Sequence, residues 1–474
     1  MRRNHGVLLS CLLLEAILPL AARGATTLPI DGSSAQQFAA LDDTMVEFME
    51  AKGIEAGLLG VMKNGVVVLE RGYGWKDSAH TEALPANAMM RIASVTKPIT
   101  AAAVHALVDA GIFSFDDHVF NLEQPDGGLL DVTPFLSLGD SRLAQITVRH
   151  CLDHEGGWDR SIAGDLTYME VDVASDMRVA NPPGRENTAR WILSHPLEHD
   201  PGTTYAYSNI GYMMLGLVIE QYSGMSYLDF VHQQVFGLLN VDPADIQLGR
   251  TFTADQNPRE PWYDYPGSCQ NVFQPAEFVN CPHGGWDHEA RVSQGRIISS
   301  TRPLLHFLDH FYINGPSIGA SRTGDEGASW KRSHTGSLRG TNALARQRGD
   351  GVNYVVLFNK RSTTGSSYAT QIRVILDAAI ESLVQTEFGL FVRGDSNGDG
   401  SIDVSDAVHI LLTLFSGKSR DCEDAQDVND DGNVDISDPV TLLNYLFRAM
   451  PHPTSPFPRT GTDPTPDDLD CERL

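Results

Sequence analysis

The chain has 474 residues, a length that predicts about two to four domains with cores of ordinary size. Its formal net charge of −26 argues against nucleic acid as a partner, because a phosphate backbone is bound by a basic surface. Residues 395–474 hold 17 Asp and Glu against 5 Lys and Arg. About −12 of the net charge therefore lies in this acidic tail, which we consider separately from the rest of the chain.

The N-terminus resembles a secretory signal. Residues 1–24 combine two arginines near the start, an apolar run broken by Glu15, and small residues at the end. The run is too short to span a bilayer comfortably, and no other stretch approaches about 18 apolar residues. We therefore expect a secreted or periplasmic protein whose mature form has no membrane span.

Export permits disulfide bonds. Cys269 and Cys281 close a short loop, and a bond between Cys422 and Cys471 is a hypothesis for the tail; the sequence alone does not fix the connectivity. Cys151 would remain, and we interpret it as a small buried hydrophobic residue rather than a nucleophile.

Strand pairs and helices are predicted on both sides of a long, mostly helical middle segment. An Asn-Gly turn at 64–65 joins two of the strands, because this dipeptide suits the turns of antiparallel hairpins. The predicted elements are a helix over 34–51, strands over 57–62 and 66–71, strands over 341–348 and 352–359, and a helix over about 368–384. This order predicts an α+β fold with one antiparallel sheet flanked by the terminal helices.

Ser94 and Lys97 stand at the start of an apolar segment that ends at Gly111 and is predicted to be a helix. Residues three apart share one face of a helix, so the amine of Lys97 should lie beside the hydroxyl of Ser94. A neutral lysine activates a serine by taking its proton, which requires a pKa lowered from about 10.4 by burial, a nearby cation or the helix N-terminus. A capping serine beside a solvated lysine is the alternative.

Two further motifs follow. Tyr207 and Asn209 precede an apolar helix predicted over 210–222, and in an extended loop both side chains would point to one side; Asn209 as a helix cap is the alternative. The segment His334-Thr335-Gly336-Ser337 precedes the last strand pair, where a glycine lets a ligand backbone approach an edge strand.

Together these motifs resemble the penicillin-recognising serine hydrolases, which include class C β-lactamases, D-alanyl-D-alanine carboxypeptidases and related esterases. The resemblance rests on Ser94-Val-Thr-Lys97, Tyr207-Ser-Asn209 and His334-Thr-Gly336 in this order, and we assign the domain to residues 35–388. It implies an acyl-enzyme mechanism on an ester, a D-amino-acid peptide or a β-lactam-like amide, with no cofactor required for catalysis.

The resemblance also implies roles for individual residues. Ser94 would attack the carbonyl, Lys97 and Tyr207 would move the protons, and Asn209 would hold the amide or ester side chain of the substrate. Thr335 and His334 would line the substrate strand, and the N–H groups of Ser94 and Ser337 would form the oxyanion hole. Because many β-lactamases carry lysine at the position of His334, ester or D-amino-acid peptide hydrolysis is favoured over β-lactam turnover.

Two other classes of function stay open. One is a catalytically silent hydrolase fold that serves as a binding protein in an extracellular assembly. The other is a deacylase associated with polysaccharides, which is suggested only by the kind of domain that the acidic tail resembles.

Two motifs are interpreted as chance matches. Gly315–Gly319 fits the Gly-x-Ser-x-Gly elbow without the strand before it and the helix after it, and the His195–His199 zinc pattern is broken by Pro196. The aromatic-rich segment 250–291 is either a flap on the substrate side or a packing insert stapled by its cysteines.

The tail contains two twelve-residue loops with oxygen-bearing side chains in the same register. Each has glycine at position 6, where the turn is sharp, and each leads into an apolar helix. The expected calcium ligands are Asp395, Asn397, Asp399, Ser401 and Asp406 in the first loop, and Asp427, Asn429, Asp431, Asn433 and Asp438 in the second. Position 7 (Ser401, Asn433) would contribute its backbone carbonyl.

Paired loops of this kind, with Asp rather than Glu at position 12, resemble a type I dockerin. The resemblance implies a small all-α domain, which we assign to 391–474, with two Ca²⁺ sites and a cohesin-like protein as partner.

Overall fold

The computed structural model describes residues 28–33, 38–324, 326–327, 329–386, 391–416, 422–448 and 450–458, together with 461, 463–465, 467, 469 and 471. The proposed signal at 1–24 lies outside the described residues. Among the described residues we find no helix that combines the length and the apolar content of a membrane span.

The strands are β1 Ile30–Asp31, β2 Ala56–Lys63, β3 Val66–Gly74, β4 Met90–Arg91, β5 Ile246–Leu248, β6 Ser268–Gln270, β7 Phe278–Asn280, β8 Ile297–Ser299, β9 Lys331–Leu338, β10 Thr341–Arg348 and β11 Val352–Phe358. The helices are α1 Ala39–Lys52, α2 Thr96–Asp109, α3 Val148–Leu152, α4 Glu170–Met177, α5 Gly184–Ile192, α6 Asn209–Ser223, α7 Tyr227–Val231, α8 Val292–Gly295, α9 Thr301–His310, α10 Tyr368–Thr386, α11 Val404–Ser416, α12 Glu423–Gln426 and α13 Ser437–Arg448.

The main sheet has six antiparallel strands in the order β1-β3-β2-β11-β10-β9. Asn64 and Gly65 have φ of 48° and 81°, the left-handed values that a two-residue hairpin turn needs, and they join β2 to β3 as predicted. The strands from the two ends of the domain meet at the centre, where Leu58 of β2 lies opposite Leu357 of β11.

Helices cover both faces of this sheet. On one face, α1 and α10 pack against each other and against the strands, around Leu41, Met45, Val356 and Ile372. On the other face, α9 contacts β2, β10 and β11, while α2 and α6 pack together in the larger core. The predicted α+β fold, with its antiparallel sheet, terminal helices and mostly helical insertion, is confirmed.

Apolar alternation did not predict strand β9; only the family resemblance implied a substrate strand at His334 and Thr335. Its sequence, Lys331 to Leu338, is polar almost throughout, so it lacks the alternation of apolar and polar residues that indicates a strand. It is the edge strand of the sheet and, among the described strands, pairs with β10 alone, which explains how so polar a segment is accommodated.

Cys269 and Cys281 form a disulfide that staples the β6–β7 hairpin, and Cys422 and Cys471 are likewise paired. Among the described cysteines only Cys151 is free; it is buried, and burial raises the pKa of its thiol to about 12. This placement agrees with a packing role for Cys151, since only the thiolate is a strong nucleophile.

The segment after residue 390 forms a small helical unit. Its helices α11 and α13 pack against each other around Ala407, Ile410, Val434 and Leu442, which are all buried.

Candidate active site

Ser94 lies in a tight turn, Ala93–Val95, that leads directly into α2. Ala93 has a φ of 49°, in the left-handed region that residues other than glycine rarely adopt. Strand β9 runs directly against this turn. A Cβ on Gly336 would lie 2.2 Å from the Ile92 carbonyl oxygen and 3.0 Å from the Ser94 nitrogen, so only glycine allows this approach.

Three functional groups meet at Ser94. The Tyr207 hydroxyl donates to Ser94 Oγ at 2.8 Å, and Lys97 Nζ lies 3.3 Å from the same oxygen. Tyr207 comes from the loop before α6, more than a hundred residues away in sequence, whereas Lys97 belongs to the first turn of α2. The structure thus brings together the serine, the amine and the phenol that the motifs singled out.

Lys97 is completely buried and has no carboxylate within 4.0 Å among the described residues. Its Nζ donates to Asn209 Oδ1 at 2.7 Å and to the Gln294 carbonyl oxygen at 2.6 Å. Burial lowers the pKa of Lys97 to about 7, because a charged amine is poorly solvated there; Arg296 and Arg160 add to this effect, while Tyr168 and Asp165 oppose it. A substantial share of the amine is therefore neutral near pH 7.

Tyr207 lies between two other side chains. Its ring centroid is 4.5 Å from that of His154, and the Arg160 guanidinium lies 4.5 Å from the ring on which it stacks. Burial raises the pKa of the phenol to about 12, against the opposing effects of the Ser94 hydrogen bond and Arg160. Tyr207 is thus a protonated donor at neutral pH.

His154 had no predicted catalytic role. Its Nδ1 accepts a hydrogen bond from the Ser208 backbone N–H at 3.2 Å, and burial together with nearby Lys97 lowers its pKa to about 3. The neutral imidazole therefore holds the loop that presents Tyr207. No periodic pattern connects residue 154 with residue 207, so only the fold reveals this contact.

Asn209 is the first residue of α6 and does not cap it. The cap is Ser208, whose side chain accepts from the Ile210 N–H. Asn209 Nδ2 donates to Asp165 Oδ2 at 2.6 Å. Because an ionised carboxylate only accepts, Asp165 fixes the orientation of the amide and turns its Oδ1 towards Lys97. Asp165 lies in an irregular loop and was not predicted.

The predicted segment 334–337 lies in β9 beside Ser94. His334 Nδ1 lies 3.1 Å from the Ile313 carbonyl oxygen, and burial with nearby Lys97 lowers the pKa of His334 to about 4, so the ring is neutral. Thr335 and Ser337 alternate with His334 and Gly336 along the strand and are exposed. Asn342 Nδ2 donates to the Gly336 carbonyl at 2.7 Å and ties this part of β9 to β10.

A cavity of about 550 Å³ opens beside Ser94. Its walls come from the 160–172 loop, from the segment that contains α8, from the end of β9 and from the stapled β6–β7 hairpin. The catalytic, charged and aromatic residues that line the cavity include Ser94, Arg160, Asp165, Tyr168, Asp172, Asn209, Trp286, Arg296, Ser337, Arg339 and Arg361. The segment 250–291 is therefore both disulfide-stapled and a wall of the candidate site.

The two motifs interpreted as chance matches take no part in this cavity. Residues 315–319 form turns, and 195–199 form an irregular segment in which His199 Nε2 lies 3.1 Å from Asp159 Oδ2.

A model of the Beta-lactamase family matches residues 41–381, well over half of the chain. The chain belongs to the Beta-lactamase family. Within that family it is similar to the protein Flp of Staphylococcus aureus strain MRSA252, with 27% identity over 276 residues, 58% of this chain and 48% of Flp. The chain thus spans about half the length of this relative.

Solved structures with the Beta-lactamase fold are similar in shape. The D-amino acid amidase of Ochrobactrum anthropi SV3 in complex with D-phenylalanine has a TM-score of 0.53 at 20% identity, covering 74% of this chain and all of the amidase. The Beta-lactamase/D-alanine carboxypeptidase of Yersinia pestis has a TM-score of 0.52 at 17% identity, covering 73% of this chain and 98% of that enzyme. These likenesses establish the fold.

The Beta-lactamase match ends before the two predicted calcium loops, which share one backbone geometry. Gly400 and Gly432 at position 6 have φ of 81° and 79°. In each loop the position-6 N–H donates to the carboxylate of position 1, to Asp395 at 3.0 Å and to Asp427 at 2.9 Å. At position 12, Asp406 and Asp438 accept from the N–H groups of Asn397 and Asn429.

The oxygen donors of these loops fit a hard cation. Asp406, Asp427 and Asp438 are fully buried, and burial together with Asp427 raises the pKa of Asp438 to about 7, which is the response of a carboxylate that lacks a compensating positive charge. Two carboxylates that were not among the predicted ligands lie beside the second loop, since one carboxylate oxygen each of Asp427, Asp430 and Asp467 lie within 4.8 Å of one another.

Proposed function

We propose that this protein is a serine hydrolase that forms an acyl-enzyme on Ser94, with an ester or the amide of a D-amino acid as substrate. The observation that carries the proposal is the position of Ser94 Oγ, within reach of an amine whose pKa is about 7 and of a protonated phenol. A serine becomes a strong nucleophile in this setting, because a neutral base lies next to it.

The proposed sequence of steps follows from these protonation states. Neutral Lys97 accepts the hydroxyl proton as Ser94 Oγ bonds to the carbonyl carbon, and the N–H groups of Ser94 and Ser337 hold the oxyanion. Tyr207 then protonates the leaving group and regains a proton from Lys97. A water molecule hydrolyses the acyl-enzyme and frees Ser94. Each oxyanion donor in comparable sites is worth about 10²-fold to 10³-fold in kcat.

The neutral state of His334 supports the choice of substrate. A lysine at this position would offer a permanent charge, whereas His334 with a pKa near 4 offers only neutral hydrogen bonds at pH 7. We therefore expect esters and D-amino-acid amides to be hydrolysed faster than β-lactams. The similar structures are those of a D-amino acid amidase and a Beta-lactamase/D-alanine carboxypeptidase, and both names support an amide of a D-amino acid as substrate.

The direct test is to incubate the protein with a penicillin and, separately, with a p-nitrophenyl ester, and to measure intact and peptide masses. We expect an acyl adduct on Ser94 and release of p-nitrophenol. If no substrate from either class modifies Ser94, the proposal is wrong and a hydrolase fold that serves as a binding protein becomes the better interpretation. Release of acetate from an acetylated polysaccharide would instead support the polysaccharide deacylase.

The pH dependence of the reaction is a second expected result. Because only neutral Lys97 accepts a proton, kcat/KM should rise about tenfold per pH unit below pH 7 and level off above it, given the pKa of about 7. The alkaline limb set by Tyr207, with a pKa of about 12, falls outside an ordinary assay range.

The measurement is kcat/KM from pH 5 to 9 for an uncharged ester, with far-UV circular dichroism at each pH to exclude unfolding. A rate that falls as the pH rises through 7, or an acid limb near the ordinary lysine pKa of about 10.4, would contradict a neutral Lys97 as the base.

We also propose that the protein is exported and that residues 391–474 form a calcium-dependent docking domain for a cohesin-like partner. The support is the repetition of one loop geometry at two places, each followed by an amphipathic helix, α11 or α13. The paired cysteines agree with an oxidising compartment.

A further inference from the structure

The cavity beside Ser94 has an excess of positive charge. Four arginines line it (Arg160, Arg296, Arg339 and Arg361), against two aspartates (Asp165 and Asp172). The chain as a whole has a net charge of −26, so a positive cavity is the opposite of what its composition would produce by chance. A cationic cavity in an acidic protein concentrates anions and selects for them.

These arginines lack ionic partners. None of the four has a carboxylate within 4.0 Å in the described part of the chain, although many other arginines do. Arg296 is fully buried, and its Nε has no hydrogen-bond partner; the same holds for the buried Nε of Arg361. An unpaired buried guanidinium is unfavourable unless an anion compensates it.

Two aromatic rings link three of these arginines, Arg296, Arg339 and Arg361, which we call the arginine row. Arg296 and Arg339 lie 5.3 Å and 5.8 Å from the ring of Trp286, and Arg339 and Arg361 lie 5.6 Å and 5.9 Å from the ring of Tyr265. Stacking on a ring face presents the planar edge of a guanidinium, which is the geometry that a carboxylate accepts.

The Nη groups of Arg296 already donate to the Gly295 carbonyl oxygen at 3.3 Å and to the Tyr168 hydroxyl at 2.9 Å, and Arg339 Nη1 contacts the disulfide. Among the described residues, the donors left for a carboxylate therefore belong mainly to Arg361 and to the rest of the Arg339 guanidinium.

The row is built by the fold rather than by one flexible loop. Arg339 lies in the two-residue turn between β9 and β10, and Arg361 follows β11. Because β9 and β11 both run antiparallel to β10, their carboxyl ends lie at the same end of the sheet. Trp286 and Tyr265 come from the stapled segment, and Arg339 Nη1 touches the disulfide, 3.2 Å from Cys281 Sγ.

We propose that this end of the cavity binds a carboxylate on the acyl part of the substrate. The inference rests on the proposed function, because Ser94 and Asn209 line the same cavity and Asn209 is the group assigned to the acyl side chain. A cavity of about 550 Å³ holds an acyl chain of several carbons between Ser94 and the arginine row. The preferred substrate is thus the ester or amide of a dicarboxylic or acidic acyl group.

The test compares two esters that differ only in this charge: the mono-p-nitrophenyl ester of adipic acid, and the same compound with its free carboxyl methylated. We expect the wild-type protein to favour the anion by about tenfold or more in kcat/KM, since a charge-assisted hydrogen bond typically contributes that much. Arg339→Gln and Arg361→Gln should each lose most of this preference, and added salt should weaken it. Arg332→Gln is the matched control and should keep the preference, because Arg332 is an exposed arginine of β9 that does not line the cavity.

The outcomes separate this inference from the proposed function. Equal kcat/KM for both esters, with activity lost in Ser94→Ala, overturns the anion site and leaves the hydrolase in place. If neither ester is turned over, the proposed function fails, and calorimetry of Ser94→Ala with monomethyl adipate decides the anion site. Binding that Arg339→Gln or Arg361→Gln removes would support the site, and no binding would overturn it. A preference for charge only on the leaving group would also overturn it.

Discussion

Replacing Ser94 with alanine is expected to lower kcat for a p-nitrophenyl ester by about 10⁴-fold to 10⁶-fold, because the attacking oxygen is lost. Lys97→Ala should fall in the same range, since Nζ is the only amine within reach of Ser94 Oγ in the described structure, at 3.3 Å. The two groups act as one unit, so the double variant should be little worse than either single variant. The measurement is steady-state release of p-nitrophenol, together with the mass of the trapped acyl-enzyme.

Ser317→Ala is the matched control. Ser317 belongs to the Gly-x-Ser-x-Gly stretch, which forms a turn and lines no part of the cavity, so its loss should leave kcat unchanged. All variants should keep the far-UV spectrum of the wild type. Wild-type rates in Ser94→Ala, or a loss of activity in Ser317→Ala, would refute the assignment of the nucleophile.

Calcium titration of the full chain is expected to show two sites in its C-terminal unit, with one lost in Asp395→Ala, the other lost in Asp427→Ala, and none left in the double variant. The reason is that each residue is the proposed first ligand of its own loop, and its carboxylate already accepts from N–H groups of that loop. Carboxylates buried without a cation repel one another, so the helix content of this unit should rise when calcium binds.

Each single variant serves as the control for the other, because it removes a proposed ligand from one loop and leaves the other loop intact. Isothermal calorimetry gives the stoichiometry, and circular dichroism with and without a chelator gives the helix content. Two sites persisting in the double variant would place the ions elsewhere. Ester hydrolysis should be the same in chelator and in calcium, since no residue of these loops lines the cavity at Ser94.

The features that could be predicted from the sequence are defined by residues close together in the chain. The i, i+3 spacing of Ser94 and Lys97, the Asn64-Gly65 turn and the twelve-residue loops each need only a short stretch of chain to define their geometry. The central sheet followed from two apolar strand pairs at opposite ends of one domain.

The parts that escaped prediction depend on the packing of distant segments. Asp165 reaches Asn209 from an irregular loop, His154 supports Tyr207 without any periodic pattern, and the row of arginines forms only when the turn at Arg339 meets the stapled segment. The apolar pattern missed strand β9 for another reason. Its more buried positions, His334, Gly336 and Leu338, include only one large apolar side chain, so the strand lacks the alternation of apolar and polar residues that indicates a strand.

The place of β2 at the centre of the sheet sets an order of events during biosynthesis. Strand β2 pairs with β11, whose last residue is Phe358. The β2–β3 hairpin therefore lacks this neighbouring strand until the whole helical insertion has been translated. Pairings between such remote segments form slowly, because a large loop must close first. If the chain is exported as proposed, we expect this delay to keep the polypeptide unfolded while it crosses a membrane, so that the sheet is completed only after β11 has emerged.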